Sequence, residues 1–253
     1  MTVRVLVTND DGIDSPGLHR LAKLAVEAGL DVLVAAPDVE YSGSSAALTA
    51  MADGGRLALR ERSLPGVGAE RVLAVEATPG FIVFAGVRGA FGKRPDLVLS
   101  GINRGPNTGT AILHSGTVGA TLTGATHGLP GLAVSLAAPD PDEWDTAEEA
   151  ARRALAWLLD NPVGPVVVNV NVPNVPLDRL KGLRPARLAS FGAVQAEVGE
   201  TGEGFVTLTF SEIDEDPAPG SDVALLRQGW ATVTALRAPC EAGDLELPGL
   251  DDA

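Results

Sequence analysis

Short apolar segments that recur along the chain limit its fold more than any other feature. In each segment the residues of both alternating faces are apolar, which is typical of strands buried on both sides of a parallel sheet. The segments span residues 3–7, 32–36, 97–99, 132–136 and 166–170. Between the first two, Ser15 and Pro16 favour the start of a helix and Gly29 its end. Apolar residues at helical spacing between Ala147 and Leu158 predict a second helix. This alternation predicts a doubly wound, mainly parallel α/β fold that binds ligands at the carboxyl ends of its strands.

Composition and charge exclude several classes of protein. In 253 residues, no apolar run approaches the ~20 residues that span a bilayer, and the first residues lack a signal-peptide pattern. With a single cysteine, Cys240, this predicts a soluble cytoplasmic protein without an internal disulfide. The net charge is -14, with 11 basic and 12 acidic residues in 1–128 against 8 and 21 in 129–253. Because duplex nucleic acid and anionic membranes attract basic surfaces, we expect neither as a partner.

The sequence pattern changes after about residue 186. Residues 195–210 alternate between polar and apolar side chains and lead into an acidic, turn-rich stretch, which predicts an extended β-hairpin arm. The apolar run 230–236 predicts a return strand before a tail that contains Pro and Asp. We therefore divide the chain into an α/β core with the metal and phosphate site, residues 1–186, and an arm, return strand and tail, residues 187–253. Both parts belong to one structural domain.

A pair of adjacent carboxylates follows the first predicted strand. Asp10 and Asp11 precede Gly12, and a turn at this glycine allows both side chains to converge. Two carboxylates about 4–5 Å apart repel by roughly 3–4 kcal/mol at an effective dielectric constant of ~20. A convergent pair therefore favours a proton or a cation between its members, whereas a capped turn or a solvated loop is the alternative.

Two further polar segments are expected at the same edge of the sheet. The segments 37–45 and 100–107 follow predicted strands and carry hydroxyl and amide side chains. Carboxylate, hydroxyl and amide oxygens suit magnesium, manganese or calcium better than zinc. The sequence thus predicts a hard divalent cation where three polar loops meet.

The segment Ser115–Ala120 has the composition of an anion-binding helix start. A helix beginning near Ser115 would present free backbone N–H groups, with the hydroxyls of Ser115 and Thr117 as further donors. The alternative is a helix of small residues that packs closely on the sheet. The segment is no Walker loop, because no Gly-Lys-Ser/Thr follows it, and the first βα turn lacks the G-x-G-x-x-G pattern.

Several segments together resemble one known family. They are TNDDGIDSPGL, VAAPDVEYSGSSAALT, PDLVLSGINRGPNTGT with SGTVGA, VNVNVPN and GSDVALLRQGWATVTAL. In combination they are similar to the stationary-phase survival protein SurE family, over residues 3 to about 236. The resemblance implies a Rossmann-like three-layer core with a C-terminal β-hairpin arm that is exchanged between subunits of a homodimer or homotetramer. It also implies a metal-dependent 5'-nucleotidase, a phosphoric monoester hydrolase that acts on nucleoside 5'-monophosphates, with 3'-monophosphates and short polyphosphate as further substrates.

The same resemblance assigns the site residues. It implies one divalent cation per subunit, Mg²⁺ or Mn²⁺, with the ligands Asp10, Asp11, Ser42 and Asn103. Of these, Asp10, Asp11 and Asn103 would also be catalytic. Residues on the phosphate side would be Asn9, Gly43, Ser44, Asn107, Ser115, Gly116 and Thr117. Whether a carboxylate accepts the proton of a water molecule or attacks phosphorus directly stays open at this point.

The sequence departs from the family pattern in three places. His114 stands where a tyrosine is common, Thr123 replaces a usual glutamate, and Gly80-Phe81 replaces a polar stretch. His114 could donate a proton or stack on a base, although a lone histidine beside a loop is more often packed or solvated. We expect the change at Thr123 to alter helix packing, and that at Phe81 the pocket or a subunit contact.

Two other functions compete with a nucleotidase. A receiver module also begins with an acidic pair, but it requires an aspartate at the end of the third predicted strand, where this chain has Leu99-Ser100. The other alternative is a catalytically silent nucleotide-binding, phosphate-binding or structural protein of the same fold. The intact set of proposed ligands argues against it.

Overall fold

A computed structural model describes residues 2–50, 52–53, 56–191, 194–202, 205–212 and 216–239. Cys240 and the predicted tail lie outside these residues. The strands are β1 (Arg4–Thr8), β2 (Asp31–Pro37), β3 (Ala52–Asp53), β4 (Arg56–Leu57), β5 (Leu59–Glu61), β6 (Arg71–Val75), β7 (Leu97–Arg104), β8 (Gly131–Ala137), β9 (Val166–Pro173), β10 (Leu183–Pro185), β11 (Val194–Gly202), β12 (Phe205–Glu212) and β13 (Ala231–Arg237). The helices are α1 (Pro16–Glu27), α2 (Pro79–Val87), α3 (Gly116–Thr126), α4 (Trp144–Asp160) and α5 (Asp222–Arg227).

One large sheet organises the fold. Within the described residues its strands follow the order β10-β13-β9-β8-β7-β1-β2-β6-β5. Neighbouring strands are parallel except at β13 against β9 and β5 against β6. The predicted mainly parallel sheet is confirmed.

Helices cover both faces of this sheet. Along β1, Val5 and Val7 pack in one apolar cluster with α1 and α4, whereas Leu6 packs in a second cluster with α2. Because successive side chains of a strand point to opposite faces, a strand that is apolar at every position must be buried on both sides. The doubly wound α/β fold predicted from the apolar segments is therefore confirmed.

The predicted boundaries of the first helix are confirmed by its caps. The Ser15 hydroxyl accepts a hydrogen bond from the Leu18 N–H at 3.2 Å, and Pro16 opens α1 at a position where no N–H is needed. The helix ends at Glu27, shortly before Gly29. The helix predicted from Ala147 to Leu158 corresponds to α4. The observed helix begins a few residues earlier, at Trp144.

The structure differs from the sequence predictions in several elements. The strands β3, β4, β5 and β6 and the helix α2, which lie between β2 and β7, were not predicted, and neither were the short elements β10 and α5. The strand β7 was expected to end near Ser100, but its ladder with β8 resumes after an irregularity, so that Asn103 pairs with Ser135 and Arg104 with Leu136. Asn103 therefore lies on the last part of a strand and not in a loop.

The C-terminal part combines a hairpin with elements of the core. The predicted hairpin is confirmed as the antiparallel pair β11 and β12. The predicted return strand is β13, which lies between β10 and β9 in the main sheet. The buried Asp222 carboxylate, at the start of α5, accepts hydrogen bonds from the Gly109 N–H at 2.8 Å and the Ala189 N–H at 2.9 Å. These contacts fix α5 to the core.

No helix among the described residues combines the length and the apolar character that crossing a bilayer requires.

Candidate active site

The carboxyl ends of β1, β2 and β7 lie side by side in the sheet. The strand order places β1 between β7 and β2, and Thr8 pairs with Ser100. Because parallel strands end at the same edge, the segments that follow these three strands meet there. The structure thus brings together the polar segments that the sequence placed at one edge.

The turn after β1 is built by Asn9 and Gly12. The buried Asn9 amide donates to the Gly12 carbonyl at 3.0 Å and to the Ser15 hydroxyl at 2.8 Å. Gly12 has φ +95°, a conformation that favours glycine, so the predicted turn forms there. Asn9 therefore orders the turn that carries the carboxylates. Its Oδ1 is buried and has no hydrogen-bond partner among the described residues.

Asp10 is the buried member of the carboxylate pair. It is 5% exposed, and the Thr117 hydroxyl at the start of α3 donates to its Oδ1. Burial is the main cause that raises the pKa of Asp10 to about 6, and the charge of Asp11 adds to it, while the Thr117 hydrogen bond opposes the shift. A buried carboxylate with a raised pKa gains from a nearby cation, which favours its ionised form.

Asp11 lies in a different environment. Its Oδ1 accepts from Arg104 Nε and its Oδ2 from the Arg104 backbone N–H, each at 3.3 Å. Burial raises the pKa of Asp11, and the Arg104 charge partly offsets that rise. Arg104 Nη2 also lies 3.4 Å from Glu40 Oε2, and Glu40 Oε1 accepts from the Ser42 hydroxyl at 2.6 Å. Sequence reasoning missed both Arg104 and Glu40.

The loop after β2 is attached to the two other parts of the site. The Tyr41 N–H donates to the Asp10 carbonyl at 2.8 Å, which holds this loop against the turn after β1. The Ser45 N–H donates to the His114 carbonyl at 3.2 Å, and the Ser45 hydroxyl to the Leu113 carbonyl at 2.6 Å. Between these anchors lie Ser42, Gly43 and Ser44. Ser42 is exposed, whereas the Ser44 hydroxyl oxygen is buried without a hydrogen-bond partner in the described residues.

The two asparagines after the start of β7 have different surroundings. Asn103 is half-buried, and its Nδ2 donates to the Gly105 carbonyl at 2.8 Å, which leaves Oδ1 as an acceptor oxygen. Asn107 is buried, and its side-chain amide donates to the Ser135 hydroxyl at 2.8 Å. Its backbone N–H and carbonyl both bond the Asn171 side chain, at 2.7 and 2.9 Å. Asn107 therefore fixes the segment after β7 to the neighbouring strands.

The N-terminus of α3 points into this group of residues. Ser115 caps the helix, because its hydroxyl accepts from the Val118 N–H at 3.0 Å. A Cβ at Gly116 would lie 2.8 Å from both Asp10 Oδ2 and Ser44 Oγ, and one at Gly119 would lie 2.3 Å from the Ser45 carbonyl oxygen. The small residues of α3 thus allow close packing, as the alternative interpretation of this segment predicted. Their packing partners are the Asp10 carboxylate and the loop after β2.

The donors at this edge fit a hard divalent ion. The carboxylates of Asp10 and Asp11, the Asn103 amide oxygen and the Ser42 hydroxyl are oxygen ligands of the kind that Mg²⁺ and Mn²⁺ prefer. The Ser44 hydroxyl and Asn9 Oδ1, which have no hydrogen-bond partner in the described part of the chain, add buried polar atoms that a bound group could satisfy. In the described ranges, no three His, Cys, Asp or Glu side chains are grouped to hold a metal. An ion here must therefore draw on neutral oxygens as well as on the two carboxylates.

Comparison with known proteins identifies the family. The model of the family described as Survival protein SurE matches residues 5–193. The chain belongs to this family. It is 35% identical to the 5'-nucleotidase SurE of Methylococcus capsulatus over 240 residues, which cover 93% of this chain and 91% of that relative. It is 36% identical to the 5'/3'-nucleotidase SurE of Shigella dysenteriae serotype 1, over 93% of this chain and 90% of the relative.

A solved SurE structure has the same overall architecture. The crystal structure of SurE protein from Aquifex aeolicus superimposes with a TM-score of 0.79 at 28% sequence identity. The match covers 95% of this chain and 96% of the Aquifex chain. The α/β fold with its hairpin is therefore a SurE fold over nearly its whole length.

The departures from the usual SurE sequence leave the proposed ligands intact. His114 is exposed, and its carbonyl anchors the loop after β2. The Thr123 hydroxyl donates to the Gly119 carbonyl at 2.8 Å within α3. A Cβ at Gly80 would lie 3.0 Å from the Ala47 carbonyl oxygen, and Phe81 lies beside Phe84 with ring centroids 6.0 Å apart. The suggested roles of His114, Thr123 and Phe81 stay predictions.

A large groove in the described part of this SurE chain lies away from the candidate site. A groove of about 1070 Å³ runs between α4 and the strands β9, β10 and β13, and its described lining includes no proposed site residue. The candidate site is thus recognised by its converging donors and not by the depth of a cavity.

Proposed function

We propose that this chain is a metal-dependent phosphomonoesterase that hydrolyses nucleoside 5'-monophosphates to nucleoside and phosphate. The observation that carries the proposal is that the turn of Asp10 and Asp11 contacts the start of α3, through Thr117, and the end of β7, through the Arg104 N–H next to Asn103. The names of the relatives, 5'-nucleotidase and 5'/3'-nucleotidase, support this substrate class. We include 3'-monophosphates and short polyphosphate as further substrates.

One divalent ion per subunit, Mg²⁺ or Mn²⁺, fits the proposed ligands Asp10, Asp11, Ser42 and Asn103. When bound, such an ion would neutralise charge on the phosphoryl group and lower the pKa of a bound water molecule. The chain itself orders these ligands. The Tyr41 N–H bond holds the loop of Ser42 against Asp10, and the Nδ2 bonds of Asn103 leave its Oδ1 available as an acceptor.

Phosphate orientation is assigned to the start of α3. In this helix the Gly116 N–H precedes the first residues that bond back to Ser115, so within the described residues it has no helical partner and can face an anion. The Thr117 N–H is directed at the Asp10 carboxylate, where it helps to lower the pKa of that group. The hydroxyls of Ser44 and Ser115 lie beside them, and Asn9, Gly43 and Asn107 shape the loops around them. A helix terminus contributes about 0.3–1 kcal/mol toward an exposed anion, so we assign it positioning of the phosphate and not the main rate enhancement.

The carboxylates have two chemical routes open to them. Asp10 or Asp11 either accepts the proton of an attacking water molecule or attacks phosphorus itself, which would form an aspartyl phosphate. Rapid quench of a turnover with phosphorus-labelled substrate distinguishes the routes. Label that stays bound to the protein indicates the aspartyl phosphate, whereas label only in substrate and free phosphate, with inversion of configuration at phosphorus, indicates direct attack by water.

Phosphate release tests the function directly. Purified protein is assayed with the 5'- and 3'-monophosphates of each base and with short polyphosphate, in the presence of magnesium, manganese, cobalt or calcium. We expect hydrolysis of 5'-monophosphates that is lost with EDTA and restored by an excess of Mg²⁺ or Mn²⁺. Binding of nucleotide without any release under all four ions would instead identify a catalytically silent protein.

We further propose that the chain forms a homodimer or homotetramer in which the hairpin of β11 and β12 is exchanged between subunits. A two-stranded hairpin is marginally stable alone, which favours packing against another chain. Cytoplasmic location, and the lack of nucleic-acid and membrane partners, stay predictions.

A further inference from the structure

Arg104 contacts a proposed metal ligand and a second carboxylate at the same time. Its Nε lies 3.3 Å from Asp11 Oδ1 and its Nη2 lies 3.4 Å from Glu40 Oε2. Both distances are at the long end for a charge-assisted hydrogen bond, which is usually 2.7–2.9 Å. The side chain is 41% exposed, so its guanidinium is open to solvent beside the proposed ligands.

A structural arginine in the same protein is held differently. Arg4 is 7% exposed in its side chain and bonds Asp31 at 2.8 Å and Glu70 at 2.6 Å. Short contacts and burial are what a permanent ion pair requires to persist against solvent. The long contacts and the exposure of Arg104 indicate a side chain that its present partners hold only weakly.

The summed charge of the site indicates a role for Arg104 in binding an anion. Asp10, Asp11 and Glu40 bring three carboxylates, and Arg104 is the cationic side chain in contact with two of them. Without Arg104, the three ionised carboxylates and one divalent ion would leave a net charge of −1, which opposes a phosphomonoester dianion, and the Arg104 guanidinium offsets that charge. A guanidinium binds phosphate oxygens through two parallel N–H donors, a geometry that the ammonium of lysine lacks.

We propose that Arg104 is a phosphate-binding residue of this site. When a divalent ion binds Asp11, the Arg104 side chain moves from Asp11 to the phosphoryl oxygens of the substrate. This inference rests on the proposed function. It predicts opposite effects of Arg104 on the affinity for the metal and on the affinity for phosphate. Arg104 competes with the ion for Asp11, so it weakens metal binding, and it contacts the anion, so it strengthens phosphate binding.

The test uses Arg104→Met, which keeps the length of the side chain and removes its charge, with Arg104→Lys as the charge-retaining variant. Arg62→Met is the matched control, because Arg62 is similarly exposed and pairs with Asp14 through a 2.5 Å contact. Mn²⁺ affinity is measured by electron paramagnetic resonance. Binding of inorganic phosphate to the Mn²⁺-loaded protein is measured by equilibrium dialysis, and thermal unfolding verifies that each variant is folded.

We expect Arg104→Met to bind Mn²⁺ about 10-fold more tightly and inorganic phosphate about 10- to 100-fold more weakly, the range that loss of a charge-assisted hydrogen bond implies. Arg104→Lys should recover part of the phosphate affinity, and Arg62→Met should change neither value. Weaker Mn²⁺ binding by Arg104→Met would mean that the arginine only orders Asp11, and it would overturn the proposal. Unchanged phosphate binding would overturn it equally.

The nucleotidase proposal fails in a different way. Its failure appears as wild-type protein that releases no phosphate from any nucleotide with any of the four ions. Failure of the present inference appears in the Mn²⁺ and phosphate binding of the Arg104 variants, while the wild-type protein is active.

Discussion

The hydroxyl of Thr117 donates a hydrogen bond to Oδ1 of Asp10, a residue 107 positions earlier in the chain. This contact joins the first turn of α3 to the turn after β1. Both side chains are buried, so the bond forms away from competing water. The helix assigned to the phosphate and the carboxylate assigned to the metal are therefore mechanically linked.

Replacing this hydroxyl should impair the site more than the fold. Thr117→Val keeps the shape of the side chain and removes the donor, so Asp10 loses the hydrogen bond that opposes its raised pKa. A hydrogen bond to a charged group contributes about 1.5–3 kcal/mol, so we expect turnover to fall roughly 10- to 100-fold. Steady-state phosphate release measures it.

A matched control lies one turn further along the same helix. The Thr121 hydroxyl is equally buried but donates to the Val118 carbonyl at 2.7 Å. Thr121→Val should leave turnover within about twofold of the wild type. An equal loss in both variants would mean that the helix, and not the contact to Asp10, determines the rate.

Asp10→Asn should abolish turnover without unfolding the protein. Burial raises the pKa of Asp10 from 3.8 to about 6, so the metal-free fold binds a proton more readily than the unfolded chain between these values. The ionised form is therefore penalised in the folded state, and stability declines as pH rises from about 4 to about 6. The neutral variant escapes this penalty, which is at most about 3 kcal/mol for a shift of this size.

Denaturant unfolding in EDTA at pH 4.5 and pH 7.5 tests whether the ionised Asp10 carboxylate destabilises the metal-free fold. Wild type and Asp10→Asn should be similar at pH 4.5, and the variant should be the more stable of the two at pH 7.5. Greater stability of the wild type at pH 7.5 in EDTA would contradict an unfavourable buried charge, and wild-type turnover by the variant would refute the role of Asp10.

Gly116→Ala should disrupt the contact between α3 and the carboxylate. The added Cβ would lie 2.8 Å from Asp10 Oδ2 and from Ser44 Oγ, closer than such atoms pack, so one of the elements must move. We expect a loss of about 1–3 kcal/mol in the free energy of unfolding together with loss of turnover. Urea unfolding and phosphate release are measured on the same preparation.

Gly68→Ala is the control for this substitution. Its Cβ would meet only Val26 Cγ1, at the ordinary distance of 3.7 Å. Stability and turnover should both stay near the wild-type values. A Gly116→Ala protein with normal activity would show that close packing at this position is not required.

Removal of the hairpin tests the proposed exchange between subunits. Val194 pairs with Glu212 at the base of the hairpin, so residues 194–212 can be replaced by a short Gly-Ser linker. A wider deletion that reached residue 225 would also remove Asp222, which bonds the core. We expect a smaller oligomer by sedimentation velocity, and an oligomer of unchanged affinity would reject the exchange.

The local sequence determines the core elements well. A strand such as β1, apolar on both faces, can be buried only between two helical layers, and the Ser15 and Pro16 pair specifies the start of α1. The helix α2 escaped prediction because it is apolar at nearly every position, so it shows no periodic stripe. The strand β6 and the helix α5 are short, which weakens any periodic signal.

The polar site was predictable in its parts but not in its contacts. The run of Asp10, Asp11 and Gly12 shows the carboxylates and their turn within a few residues. The approach of Arg104 to Asp11 joins residues 93 positions apart and depends on how far β7 continues beside β1 and β8. Register between distant strands is set by the whole sheet, so no local pattern contains it.

A crystal of the protein soaked in Mn²⁺ tests the central claim most directly. Anomalous diffraction at the manganese edge locates the ion without reference to any assumed ligand. We predict one site per subunit, with oxygens of Asp10, Asp11, Ser42 and Asn103 within about 2.0–2.4 Å of the metal. A manganese peak elsewhere, or Asp10 and Asn103 too far apart to share one ion, would contradict the proposed phosphatase site.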